Sequence, residues 1–148
     1  IKNILLWRPS DLSEIEVEIA KGGNWVILIK SATNVLKGDN FVFVFPELLQ
    51  DKIIVRRGEI ITSEIFEKKD FDYKNINSNI KTLLRKTRDK IKLRGSIANE
   101  ITTRGDFIKK IRDSLQINQI NKYRLEVVSL RDSKTAEAII VELNVSPL

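Results

Sequence analysis

Apolar positions follow one period up to about residue 72 and another beyond it. Ile1–Trp7 is a short apolar run that Arg8-Pro9-Ser10 ends. From Glu14 onward, Ile15, Val17 and Ile19 alternate with Glu14, Glu16 and Glu18, the period of two expected of a half-buried strand. Lys21-Gly22-Gly23-Asn24 supplies turn residues and Trp25–Ile29 resumes as an apolar strand, so a hairpin is expected here. A helix from Ser13 is the rival, and the β-branched residues count against it.

Lys37-Gly38-Asp39-Asn40 forms a second turn before Phe41-Val42-Phe43-Val44-Phe45. Both faces of that run are apolar, which predicts a central, covered strand burying Val42 and Val44 together with the three rings. Lys52–Thr62 reads as strand around a turn at Arg57-Gly58, and residues 63–73 read as a charged, irregular connector.

The second half is helical at first. Ile76, Ile80, Leu83, Leu84, Thr87 and Ile91 fall within about 100° on a wheel of 3.6 residues per turn. Asn75 or Asn77 is the expected N-cap and Gly95 the expected stop. Ser96–Thr103 is expected to form one or two helical turns with Ile97, Ala98 and Ile101 inward. Asp106 caps a further helix marked by Phe107, Ile108, Ile111 and Leu115. Tyr123–Leu130 and Ala136–Leu143 flank Arg131-Asp132-Ser133-Lys134 as a terminal hairpin. The fold class expected is α+β, with a strand-rich part over residues 1–72 and a helix-and-hairpin part over residues 73–148.

Composition narrows the chemistry. The 148 residues are 42% hydrophobic and 31% charged, which is globular and not disordered. There is no Cys and no His, so disulfides, thiolate nucleophiles, sulfur-ligated zinc and imidazole bases are excluded. Any metal would be a carboxylate-held hard cation. No metal or other cofactor is expected. A cysteine-free chain fits a reducing compartment, and a cytoplasmic location is expected. No stretch reaches the roughly 18 apolar residues of a membrane helix. The chain starts at Ile1, from which an upstream N-terminal segment is expected.

The formal charge of +6 is unevenly placed. Residues 1–62 balance at zero, and residues 63–78 and 113–148 carry −1 each. Residues 79–112 carry +8. A local excess of this kind is the electrostatic footprint of a polyanion-binding surface, and equally of a solvated helix face. Lys81, Arg85, Arg88 and Lys92 cluster opposite the apolar stripe of the first helix.

The order helix, short helix, turn, helix, hairpin over residues 74–147 resembles a winged helix-turn-helix domain. Ser96-Ile97-Ala98-Asn99-Glu100-Ile101 and Asp106–Leu115 stand for its paired helices, and Arg131–Lys134 for the wing tip. The resemblance implies that Lys109, Lys110 and Arg112 reach phosphates or base edges in a major groove, with Arg131 and Lys134 on the adjacent backbone. An ordinary α+β domain whose helices pack on the N-terminal sheet explains the same pattern.

Other chemistry is thin. The Phe41, Phe43, Phe45 ladder would stack unpaired bases if exposed, but core is the expected role. Asp70 and Asp72 lie among lysines, and the Glu14–Glu18 row is a strand's solvent face. Glycine-rich phosphate loops and nuclease carboxylate–lysine spacings are missing. The expected function is therefore non-catalytic binding of nucleic acid, duplex DNA in particular. The surface would consist of Lys81, Arg85, Arg88, Lys92, Arg94, Arg104, Lys109, Lys110, Arg112, Arg131 and Lys134. The alternative is an interaction or assembly subunit whose basic helix docks on an acidic partner, and a homo-oligomer is compatible with either.

Overall fold

A computed structural model describes residues 4–72, 74–117 and 121–148, and the start of the expected Ile1–Trp7 run lies outside the described residues. The chain is α+β, as its periods predict. It forms two compact units, residues 1–52 and residues 53–148.

Unit 1 contains β1 (Ile4–Leu6), α1 (Pro9–Ala20), β2 (Trp25–Ser31) and β3 (Phe41–Gln50). The sheet order is β1-β3-β2, with β1 parallel and β2 antiparallel to β3. The strand and hairpin expected over Glu14–Ile29 are corrected, since Glu14–Ala20 lies in α1. Pro9 falls in the first helical turn, where its missing N–H costs nothing and its fixed φ suits a helix. Leu12, Ile15 and Ile19 also satisfy a spacing of three and four, so the same residues carried both periods. Gly22 and Gly23 take φ of +90° and +111° to close the turn into β2, and Trp25 Nε1 donates to the Gly22 carbonyl at 3.1 Å.

The expected burial of the aromatic row is also corrected. β3 is central, but Phe41, Phe43 and Phe45 are 52%, 49% and 40% exposed. Val44 is the one fully buried side chain of unit 1 among the described residues, and Val42 is half-buried. With three strands and one helix, unit 1 does not have enough secondary structure to cover both faces of β3.

Unit 2 holds β4 (Ile53–Val55), β5 (Ile60–Glu67), α2 (Ile76–Leu93), β6 (Ile101–Thr103), α3 (Phe107–Ile117), β7 (Lys122–Ser129), β8 (Ser133–Lys134) and β9 (Ile139–Pro147). Its main sheet has the order β5-β7-β9-β6, antiparallel except for the parallel pair of β6 with β9. The irregular connector expected over residues 63–73 is corrected up to residue 71, and residue 73 lies outside the described residues. β5 continues to Glu67 and a 3-10 turn follows over Lys68–Phe71.

The core lies between that sheet and the two helices. Tyr123, Leu125 and Val127 of β7 alternate inward, as do Ile139, Val141 and Leu143 of β9. They meet Ile76, Ile80, Leu83 and Ile91 of α2 and Phe107 and Ile111 of α3. Helix α2 ends in a Schellman motif. The Gly95 N–H donates to the Lys92 carbonyl at 2.9 Å and the Ser96 N–H to the Ile91 carbonyl at 3.3 Å, with Gly95 at φ +100°.

The helical turns expected over Ser96–Thr103 do not form. Ile101, Thr102 and Thr103 are β-branched and pair with Ile139, Ile140 and Val141 along the edge of β9. Upstream, the Ile97 N–H donates to the Thr135 carbonyl at 2.9 Å. The terminal hairpin of β7 and β9 is as expected.

Candidate nucleic-acid interface

The apolar stripe of α2 fixes where its cations go. Ile76, Ile80, Leu83, Thr87 and Ile91 are buried against the sheet, so the opposite side of the helix faces solvent. Lys81, Arg85, Arg88 and Lys92 all lie on that side and are exposed. At about 100° per residue their Cα positions fall within roughly 60° of one another. The eleven steps from Lys81 to Lys92, at about 1.5 Å rise each, make a ridge roughly 17 Å long. Among the described residues none of the four is in an ion pair, and Asp89 is the one acidic residue of α2.

Several other cations serve the fold. Arg94 Nη1 donates to the Ile54 carbonyl at 3.2 Å and to Glu59 Oε1 at 2.5 Å. Burial pushes the Glu59 carboxyl up, but the Arg56 N–H and the Arg94 guanidinium outweigh it and hold it below its ordinary value. Lys86 bridges Glu64 at 2.7 Å, and Lys90 Nζ donates to the Ile61 carbonyl at 3.2 Å. Lys110 Nζ donates to the Leu143 carbonyl at 3.2 Å, which turns it away from its neighbours on α3.

Lys109 and Arg112 stay exposed on the outer side of α3, and Arg104 is exposed just past β6. The Lys109 N–H donates to Asp106 Oδ1 at 3.1 Å, so Asp106 caps α3 as its position suggests. The expected wing tip is tied down. Ser133 and Lys134 form β8 and pair with β4, and the Arg57 N–H donates to Asp132 Oδ1 at 2.7 Å. Arg131 Nη2 donates to the Ala138 carbonyl at 2.8 Å.

The structure thus gathers four of the eleven expected residues on one ridge. It places Lys109, Arg112 and Arg104 elsewhere on the surface of unit 2 and commits Arg94, Lys110 and Arg131 to backbone carbonyls. Among the described residues no short helix lies between α2 and α3, where β6 stands in place of the first helix of the expected pair.

The acidic pair is accounted for locally. Asp70 Oδ2 accepts the Glu67 N–H at 2.8 Å and Asp72 Oδ1 accepts the Asn75 N–H at 2.8 Å. Among the described residues no group of three or more acidic side chains is arranged to hold a metal ion. Among the described residues no helix is long and apolar enough to cross a membrane. Comparison with protein-family models, with curated proteins and with solved structures gives no match for this chain.

Sequence reasoning missed the second feature of the surface, a trough in unit 1 between α1 and β3. Its signal was the spacing of Asp11, Glu14 and Glu18 at three and four, which marks one flank of a helix and not of a strand.

Proposed function

We propose that the chain binds the phosphate backbone of nucleic acid, duplex DNA in particular, through the outer ridge of α2, without a catalytic step. The observation that carries this reading is the row Lys81, Arg85, Arg88, Lys92, exposed and free of acidic partners among the described residues. Along one strand of a duplex, phosphates recur about every 3.4 Å of axis, so a ridge of this length lies beside several of them. Neutralising them releases condensed counterions, and this supplies affinity without reading sequence. Unit 2 carries twenty basic and thirteen acidic residues, so the wider field around the ridge has the same sign.

Isotherms on generic duplex test the reading. Replacing Arg85, Arg88 and Lys92 together by Glu is expected to abolish binding and leave the circular-dichroism spectrum unchanged. Unaltered duplex affinity in that variant rejects the ridge as the interface. A second reading, an assembly subunit, is favoured by one observation from unit 1, the uncovered apolar side chains around β3.

A further inference from the structure

We propose that α2 and α3 hold one sugar-phosphate strand between them, with Arg112 of α3 opposing Arg85 and Arg88 of α2. The proposal rests on the ridge of α2 as a phosphate-binding surface and adds the second wall of that site.

Contacts with the sheet fix how each helix is turned. Lys86 reaches Glu64 and Lys90 reaches the Ile61 carbonyl, so this flank of α2 lies toward β5, the edge strand. At about 100° per residue the ridge lies on the other flank, with half-buried Leu84 between it and the inward stripe. On α3, Lys110 marks the flank away from α2. The Arg104 N–H donates to the Val141 carbonyl, which places that carbonyl on the β6 edge of β9. By the two-residue repeat of a strand the Leu143 carbonyl lies on the same edge, and Lys110 Nζ donates to it. Arg112 stands about 160° round the helix from Lys110, on the side of α2, beside half-buried Ile108 and Leu115.

The two flanks also stand level. Thr87 of α2 bonds Thr62, which pairs with Val127, which pairs with Leu143, the residue whose carbonyl accepts Lys110. One row across the sheet therefore brings Arg85 and Arg88 abreast of Arg112. The helices come within 8 Å of each other between Cα atoms.

Among the described residues none of these three arginines is in an ion pair. Asp89 and Asp113 lie within about 60° of Lys86 and Lys110, on the outer flanks of the two helices. Facing cations with no carboxylate between them call for an anion. The row on α2, roughly 17 Å long, calls for a linear one, because an isolated phosphate would leave most of it unoccupied. Since the two flanks converge on one line, a single backbone fills the site and its complement is not contacted.

The test uses the full chain, a generic duplex and a single strand of the same length. The single strand is expected to displace the duplex. R112E is expected to weaken both about tenfold, and to lower the salt slope by about 0.9 on duplex and about 0.7 on single strand. R124E is the charge-matched control, because Tyr123 and Leu125 face the helices and exposed Arg124 projects from the opposite face of the sheet. Its effect is expected to stay within about twofold, since salt screens a charge at that distance. R112Q, which removes a charge without reversing it, is expected to lose less than R112E. If Arg88 and Arg112 meet the same strand, R88E/R112E loses less than the product of the single losses.

Equal losses in R112E and R124E overturn the proposal, as does a single strand that fails to displace the duplex. Displacement by inorganic phosphate at the same phosphate concentration overturns it too, in favour of a simple anion site. In each case loss of duplex binding in R85E/R88E/K92E would leave the ridge standing without a second wall. A parent chain that binds no duplex rejects the ridge and this proposal together.

Discussion

Arg94 Nη1 lies 2.5 Å from Glu59 Oε1, and this contact joins the C-terminus of the basic helix to the loop before β5. Arg94 is therefore a structural cation in the middle of a charged surface. Arg94→Ala is expected to lower the stability of unit 2 by about 1 kcal/mol, a value discounted for the exposure of both side chains. Duplex affinity should change little. Chemical denaturation and a duplex isotherm on the same variant check both halves of the prediction.

The Glu59 carboxyl adds a pH dependence of known sign. Its folded pKa is held below the ordinary 4.5. The pair's contribution is therefore complete above the ordinary carboxylate range and is lost as pH falls through the lowered folded value. Glu59→Gln is expected to be less stable than the parent near pH 7, with the gap narrowing as acid protonates Glu59 in the parent. Denaturation midpoints measured from pH 7 to pH 3 check this, and a gap that widened in acid would contradict it.

Thr87 and Thr62 form a buried polar pair between α2 and β5. Thr87 Oγ1 lies 2.8 Å from the Leu83 carbonyl and 3.1 Å from Thr62 Oγ1, and both residues are fully buried. Thr87→Val leaves the Thr62 hydroxyl without this partner and is expected to cost about 1–3 kcal/mol. The double change to Val at both positions should cost less than the sum of the two single changes. Strict additivity in a double-mutant cycle would show that the two hydroxyls are not coupled.

The two units differ in how well they are covered, and hydrogen exchange should register it. β7 and β9 alternate fully buried residues, whereas β2 and β3 flank a surface with one fully buried side chain among the described residues of unit 1. Amides of β2 and β3 are expected to exchange orders of magnitude faster than those of β7 and β9. Comparable protection of both sheets in the isolated chain would mean that unit 1 is covered in solution.

Where the sequence was legible, one period dominated. Helix α2 could be read from its stripe and from Gly95, and the terminal hairpin from the alternation on both sides of Arg131–Lys134. Residues 14–20 were misread because Ile15, Val17 and Ile19 fit a period of two while Leu12, Ile15 and Ile19 fit a helix. Pro9, taken as an end, is the start. Residues 101–103 became strand through pairing with β9, a contact some forty residues away that no local pattern encodes.

The aromatic row was expected to be core because burying three rings is the cheaper state for a complete domain. In unit 1 the described residues, α1 included, leave the three rings 40–52% exposed. Of the basic surface, the ridge on α2 was legible from the wheel alone. The withdrawal of Arg94, Lys110 and Arg131 to carbonyls depends on tertiary neighbours and was not.

Because residues 96–103 form no helix ahead of α3, the cations of α3 are not expected to read bases. K109A/R112A should weaken binding equally on unrelated duplex sequences. Relative affinities across a panel of duplexes, compared with those of the parent chain, check this, and a changed ranking would place α3 in the groove.

The slope of log affinity against log salt on generic duplex tests the central claim most directly. If Lys81, Arg85, Arg88 and Lys92 each neutralise one phosphate, the ridge contributes about 0.9 per contact, roughly 3.6 in all. In R85A/R88A/K92A, where charge is removed without repulsion, that contribution should fall by roughly 2.7. Parallel slopes for the parent chain and this variant would contradict the assignment of α2 as the surface that meets the phosphates.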